Sequence, residues 1–176
     1  VQAFPASAEV QLRISDGVEA MLRAVKDRLG VGERAVAARK KDEDRIDGLA
    51  RRLADLVAGR AVDLTWFAEL SEQIVEEAKQ AAPLRFLTVD PHSASAYPGG
   101  PTSPAPARFV AAHALTAAQV AARLAPHDFE WAGRPVVPVI ACLFMNVGLL
   151  RVPAGVLGKA GPLTADERRM VETHPE

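Results

Sequence analysis

Apolar residues recur at helical spacing along the first ninety positions. The pattern predicts one helix that begins after Ser15, a good N-terminal cap, and ends at Gly30. A second predicted helix ends near Gly59, and a third begins at Asp63. The apolar stripes of the three helices are Val18, Met21, Leu22, Val25 and Leu29; Ile46, Leu49, Leu53 and Leu56; and Phe67, Leu70, Ile74 and Ala78.

Two segments of this part depart from the stripes. Val10, Leu12 and Ile14 alternate with polar residues, which predicts a short strand with one buried face. Residues 33–45 mix both charge signs at spacings that allow ion pairs one helical turn apart. We therefore expect residues 33–45 to form a solvated helix or connector.

A proline-rich segment divides the chain. Residues 90–106 contain five prolines and two glycines, which interrupt helices and strands alike. The sequence thus predicts an N-terminal helical region over 1–89, a linker or long loop over 90–107 and a further region over 108–176. His92 lies within the linker, with no second metal-ligating residue at a suitable spacing.

Composition supports a mainly α protein with a core. Hydrophobic residues make up 49% of the 176 positions and aromatic residues only 5%, so alanine and aliphatic side chains supply most of the apolar surface. The net charge of −1 gives no general attraction to nucleic acid. Residues 136–150, although apolar, are fewer than the roughly twenty needed to cross a bilayer, so we expect a core helix and no membrane insertion. A single cysteine, Cys142, excludes an intrachain disulfide and suits a cytoplasmic location.

The last third of the chain carries an ordered set of motifs. Met145-Asn146 follows an apolar run and precedes Val147, Gly148 and Leu149. The downstream steps are Val152-Pro153, Val156-Leu157, Lys159-Ala160-Gly161, Leu163-Thr164 and His174-Pro175. This order resembles the HD-GYP family, the bacterial metal-dependent phosphodiesterases that open cyclic di-GMP. In that family a His-Asp pair stands where Met145-Asn146 stands here, and a lysine stands at Leu149.

The resemblance covers about residues 108–176 and implies a partial helical bundle of the HD-domain type. It also implies which residues occupy the positions of the family's site: His113, Met145, Asn146, Leu149 and His174. The family uses metal ions at such positions to activate water for attack on the phosphodiester. A thioether and a neutral amide are poor ligands for iron, manganese or magnesium, so we expect no catalytic residue and no cofactor. Arg151 and Lys159 are candidates for facing a phosphate.

The predicted function is that of a catalytically degenerate HD-GYP-like module with a regulatory, nucleotide-sensing or protein-interaction role. Two alternatives stay open. One is an active cyclic di-GMP phosphodiesterase with reassigned ligands, holding iron or manganese through His113, Asn146, His174 and other groups. The other is a structural helical subunit of a larger assembly.

The resemblance also bears on partners. The family continues after this His-Pro with further ligands and its Gly-Tyr-Pro segment, so about half a domain is matched. If the natural protein also ends at Glu176, the helices from His113 to His174 leave apolar surface uncovered, which predicts self-association or burial against another protein chain. Cyclic di-GMP or another nucleotide is the expected small ligand, if one binds.

Two local motifs have purely structural interpretations. Thr164 and Glu167 have the spacing of a capping box at the start of a last helix. His127-Asp128 is a literal His-Asp pair, but its polar, proline-bounded surroundings predict a loop.

Overall fold

A computed structural model describes residues 8–89 and 105–173, with side chains described from Val18 onward except at positions 26, 29, 31 and 105. The chain divides into two compact units, residues 1–43 and 44–176. The described parts contain helices and no strand, which confirms the mainly α class. The helices are α1 (Ala8–Val57), α2 (Thr65–Lys79), α3 (Ala105–Leu124), α4 (Val136–Phe144), α5 (Ala154–Leu157) and α6 (Ala165–Glu172).

The first unit corrects two expectations. The predicted strand at residues 10–14 is wrong, because these residues lie within α1. Gly30 does not end the helix either; α1 continues through it and through the charged residues 33–45. An interior glycine costs a helix only about 1 kcal/mol, and the alanine, arginine, lysine and glutamate that follow are good helix formers. Without a partner strand, a helix is also the conformation that satisfies the backbone of residues 10–14 locally.

The second unit is built around α3. The larger core side chains come from the last part of α1, from α2 and from α4. Helix α1 ends near Gly59, whose φ of +70° suits glycine. Six alanines of α3 are at most 2% exposed, so neighbouring helices meet its backbone closely. They are Ala107, Ala111, Ala112, Ala114, Ala118 and Ala122. The larger core residues include Leu49, Leu53, Phe67, Leu70, Ile74, Leu115, Val139 and Leu143.

Two ion pairs connect the helices of this unit. Arg45 of α1 binds Glu77 of α2 through two hydrogen bonds of 2.9 Å. Arg108, near the start of α3, donates from Nε to Oδ1 of Asp47 on α1 at 2.7 Å, and its side chain is only 4% exposed. Each pair fixes the position of one helix along another because a guanidinium and a carboxylate meet in a defined geometry.

The non-helical segment after α2 is held by side chains of α3. The hydroxyl of Thr116 accepts a hydrogen bond from the Leu87 amide at 3.0 Å. Gln119 accepts from the Arg85 amide at 3.3 Å and donates to the Arg85 carbonyl at 3.1 Å, and Arg123 donates to the Ala82 carbonyl. These side chains satisfy backbone groups that would otherwise need a neighbouring strand.

The predicted division at 90–107 stays a prediction about domains. Helices from both sides of that segment, α2 before it and α3 after it, belong to the same compact unit and pack on each other. Over the described residues, no helix is both long and apolar enough to cross a membrane.

Enlarging one buried alanine of α3 tests its close packing. Ala118→Leu should lower the free energy of unfolding by about 1–3 kcal/mol, because the added carbons have no space at a position that is 0% exposed. Ala117→Leu is the matched control, since Ala117 is next to Ala118 in the helix but is only half-buried. Urea unfolding monitored by circular dichroism measures both. Equal effects of the two substitutions would contradict the packing described.

Candidate functional site

The structure brings together two of the positions that the resemblance singles out. His113 lies midway along α3 on an exposed position, and Asn146 lies two residues after the end of α4. Nδ2 of Asn146 is 2.7 Å from Nδ1 of His113, although the residues are 33 positions apart in sequence. Packing of α4 against α3 brings the two side chains within hydrogen-bonding distance.

The end of α4 sets the direction of the Asn146 side chain. Met145 is still helical, whereas Asn146 has φ −116° and ψ 15°, which turns the chain out of the helix. Its carbonyl accepts a hydrogen bond from the Leu149 amide at 3.0 Å, and a short 3₁₀ helix, Val147–Arg151, follows. Phe144 anchors this turn, because its ring lies 4.6 Å from that of Phe67 on α2.

The contact between His113 and Asn146 joins a side-chain amide to a ring nitrogen of the imidazole. An amide nitrogen only donates, so in this arrangement Nδ1 of His113 accepts and the ring proton is on Nε2. The amide therefore points a donor at the lone pair of Nδ1, one of the two ring nitrogens through which a histidine can bind a metal ion. Asn146 also supplies no negative charge to balance a cation.

The other predicted positions have different surroundings. Met145 is exposed, and Leu149 packs against the hydrophobic core. Arg151 is exposed at the end of the 3₁₀ helix. His174 and His92 lie outside the described residues. Within 8–89 and 105–173, no three histidine, cysteine or acidic side chains are grouped in a way that could hold a metal ion.

Lys159, predicted to face a phosphate, binds a carboxylate of its own chain. Its Nζ donates to Oε2 of Glu167, which also accepts from the Thr164 amide at 2.7 Å. The Thr164 hydroxyl accepts from the Glu167 amide at 3.3 Å, which confirms the capping box at the start of α6. The hydrogen bond from Lys159, followed by that from the Thr164 backbone, lowers the pKa of Glu167.

Sequence reasoning missed the cluster that supports α2 next to this site. The guanidinium of Arg52 lies 4.0 Å from the ring centre of Trp66, and Trp66 meets Phe67 edge to face at 5.3 Å. Gly48 leaves room for the indole, because a Cβ there would lie 3.0 Å from Trp66. The signal visible in the sequence was the pair of adjacent aromatic residues, Trp66 and Phe67. The residues that meet Trp66, Arg52 and Gly48, lie on a different helix, α1.

An apolar cavity of about 190 Å³ lies in the second unit, between the end of α1 and the start of α3. Small-molecule sites usually measure about 300–1,000 Å³ and contain a few polar groups. This cavity is therefore too small for a dinucleotide. Its lining residues are Ala54, Val57, Ala58, Pro106, Ala107 and Leu150.

No family model, curated protein or solved structure matches this chain. The family resemblance accordingly rests on the residues quoted above. It stays a prediction.

The tautomer of His113 provides a direct test of that contact. We expect the ring nitrogen shifts at pH 8 to show an unprotonated Nδ1 and a protonated Nε2, because the Asn146 amide donates to Nδ1. Asn146→Ala should shift the ring toward a mixture of tautomers. Nitrogen-15 NMR measures this, with His113→Gln to assign the signal and the exposed His127 as internal control. An unchanged spectrum in Asn146→Ala would refute the contact.

The Glu167 carboxylate should titrate below its ordinary range. Because its folded pKa is lowered, the ionised form stabilises the start of α6 at pH values above the ordinary glutamate pKa. That contribution should disappear as pH falls through the lowered pKa. Carbon-13 NMR of the carboxyl group checks this, and Lys159→Gln should raise the pKa toward its usual value.

Proposed function

We propose that residues 108–176 form a catalytically degenerate HD-GYP-like module that regulates through contact with another protein chain. The observation that carries this proposal is the hydrogen bond between His113 and Asn146. An uncharged amide and an imidazole contact each other at the place where the resemblance would put a metal ligand and its acidic neighbour. This supports a structural role for the pair.

Electrostatics favours the same proposal. A carboxylate at about 4 Å from a cation, at an effective dielectric near 20, gains about 4 kcal/mol of Coulomb energy. The amide of Asn146 carries no charge and so does not provide this Coulomb energy. The exposed thioether of Met145 is a soft ligand that does not replace an imidazole for iron or manganese. Leu149 packs on the core and brings no cation to a substrate phosphate.

Exposed apolar side chains support interaction with a protein rather than with a nucleotide. Val137 and Met145 lie near the two ends of α4 and are each more than 40% exposed, and Phe129 is fully exposed in the preceding loop. Phenylalanine and methionine are enriched at protein interfaces relative to the rest of the surface. Asp128 holds the loop in place by accepting from the Glu130 amide at 2.8 Å and the Trp131 amide at 3.2 Å. The proposal includes a cytoplasmic location for the protein.

Metal content and cyclic di-GMP turnover test the proposal together. Protein purified without chelator should hold less than stoichiometric iron or manganese by mass spectrometry, and chromatography should show no hydrolysis after addition of either metal. Reverting the pair with Met145→His and Asn146→Asp should increase metal binding, since it restores an imidazole and a carboxylate. Lys159→Gln serves as the control for altered charge outside the pair.

The alternatives give different results in the same assays. One or two equivalents of metal with hydrolysis would replace the proposal with a phosphodiesterase that uses reassigned ligands. Saturable binding of cyclic di-GMP in calorimetry without hydrolysis would assign the regulatory role to nucleotide sensing. Phe129→Ser should weaken capture of the partner chain while leaving the fold unchanged, because Phe129 is exposed.

A further inference from the structure

The first unit presents an apolar stripe on a helix. Val18, Leu22, Val25 and Val36 of α1 are 52%, 56%, 47% and 70% exposed. In globular proteins such a row usually lies against another element, because exposed aliphatic side chains gain free energy when they leave water. The row therefore marks a surface that fits an apolar partner.

The spacing of the stripe is that of a coiled coil. Steps of four and three residues separate Val18, Leu22 and Val25, and Val36 lies eleven residues further on, which keeps the seven-residue register. Leu22 and Val36 take the a positions of the repeat, and Val18 and Val25 take the d positions. In the sequence Leu29 has the intervening a position and Gly32 the next d position. Met21, which is 71% exposed, lies at g, a position that flanks the seam of a two-stranded coiled coil.

Charge complementarity identifies the partner as a second copy in parallel orientation. In a parallel pair, a residue at g lies next to the residue five positions later at e of the other helix. Arg28 is at g and Glu33 is at e, so two copies would form this ion pair twice. We propose that residues 18–36 of two chains associate as a parallel coiled coil.

Antiparallel pairing is less favourable in the two registers that place Val36 opposite another valine of the stripe. The register that places Val36 opposite Val25 also places Leu22 opposite Arg39. The other register places Arg28 opposite Arg28 and Glu19 opposite Glu33, which sets like charges together. Parallel pairing avoids both conflicts.

The remaining face of this helix suits water. Arg23 lies 3.5 Å from Glu19, and both side chains are about 70% exposed. Arg34 donates from Nε to the Gly30 carbonyl at 3.0 Å and lies at f, opposite the stripe. This inference concerns the first unit only, and it does not depend on the function proposed for residues 108–176.

Charge reversal on the full chain tests the proposal. Size-exclusion chromatography with light scattering should give twice the chain mass of 18.8 kDa for the unmodified protein at high concentration. Arg28→Glu or Glu33→Arg alone should raise the dimer dissociation constant about tenfold or more, because each makes both interchain pairs repulsive. Mixing the two variants should restore the dimer, since a parallel pair then regains two opposite-charge contacts. Arg34→Glu, at f, is the matched control and should leave the dimer unchanged.

Three results would overturn the proposal. They are a monomer at the highest soluble concentration, a dimer that Val25→Asn does not weaken, and single variants that do not recombine on mixing. Circular dichroism of each variant verifies that α1 remains helical, so loss of the dimer is separable from loss of folding. A dimer abolished by Phe129→Ser but not by Val25→Asn would place self-association in the second unit. The metal and nucleotide assays above use different residues, so either proposal can fail alone.

Discussion

Small side chains on α3 are the constraint on which the second unit depends. Alanine at the buried positions lets α1, α2 and α4 approach the α3 backbone, and a single larger side chain there would separate the helices. Each alanine buries little apolar area, so the aliphatic and aromatic residues of the surrounding helices supply most of the hydrophobic free energy. The alanines thus determine the distance between the helix axes, and the larger side chains of the surrounding helices provide most of the stability.

The contact between His113 and Asn146 is a consequence of that distance. Asn146 lies just beyond α4, so its amide reaches His113 only because α4 packs directly on α3. The ion pair of Arg108 with Asp47 fixes the start of α3 in the same unit. A buried ion pair adds little net stability once desolvation is counted, but its geometry is specific. Position along the helix axes is thus set by polar contacts, and separation between axes by alanines.

The sequence predicted the features that depend on local order. The stripe on α2, with Phe67, Leu70 and Ile74 buried, follows directly from helical periodicity. The capping box at Thr164 follows from a four-residue motif. The strand at residues 10–14 failed because alternation over five residues is a weak signal beside fifty residues of continuous helix.

Features that join distant residues were less accessible. The contact between positions 113 and 146 does not follow from spacing, since no spacing rule connects residues 33 apart, one on α3 and one in the turn after α4. The stacking of Arg52 on Trp66 and the space left by Gly48 depend on how α1 meets α2. Such contacts are decided by packing, which a single sequence does not display.

The attachment of residues 82–89 to α3 has a consequence for how this segment tolerates change. Thr116, Gln119 and Arg123 bind its amides and carbonyls, which every residue type except proline provides alike. Exposed positions such as Phe86 and Thr88 can therefore accept many side chains without loosening the segment. The three polar side chains of α3 are less replaceable, because the hydrogen bonds depend on their identity. Among related chains, substitutions should consequently be more frequent at the exposed positions of residues 82–89 than at Thr116, Gln119 and Arg123.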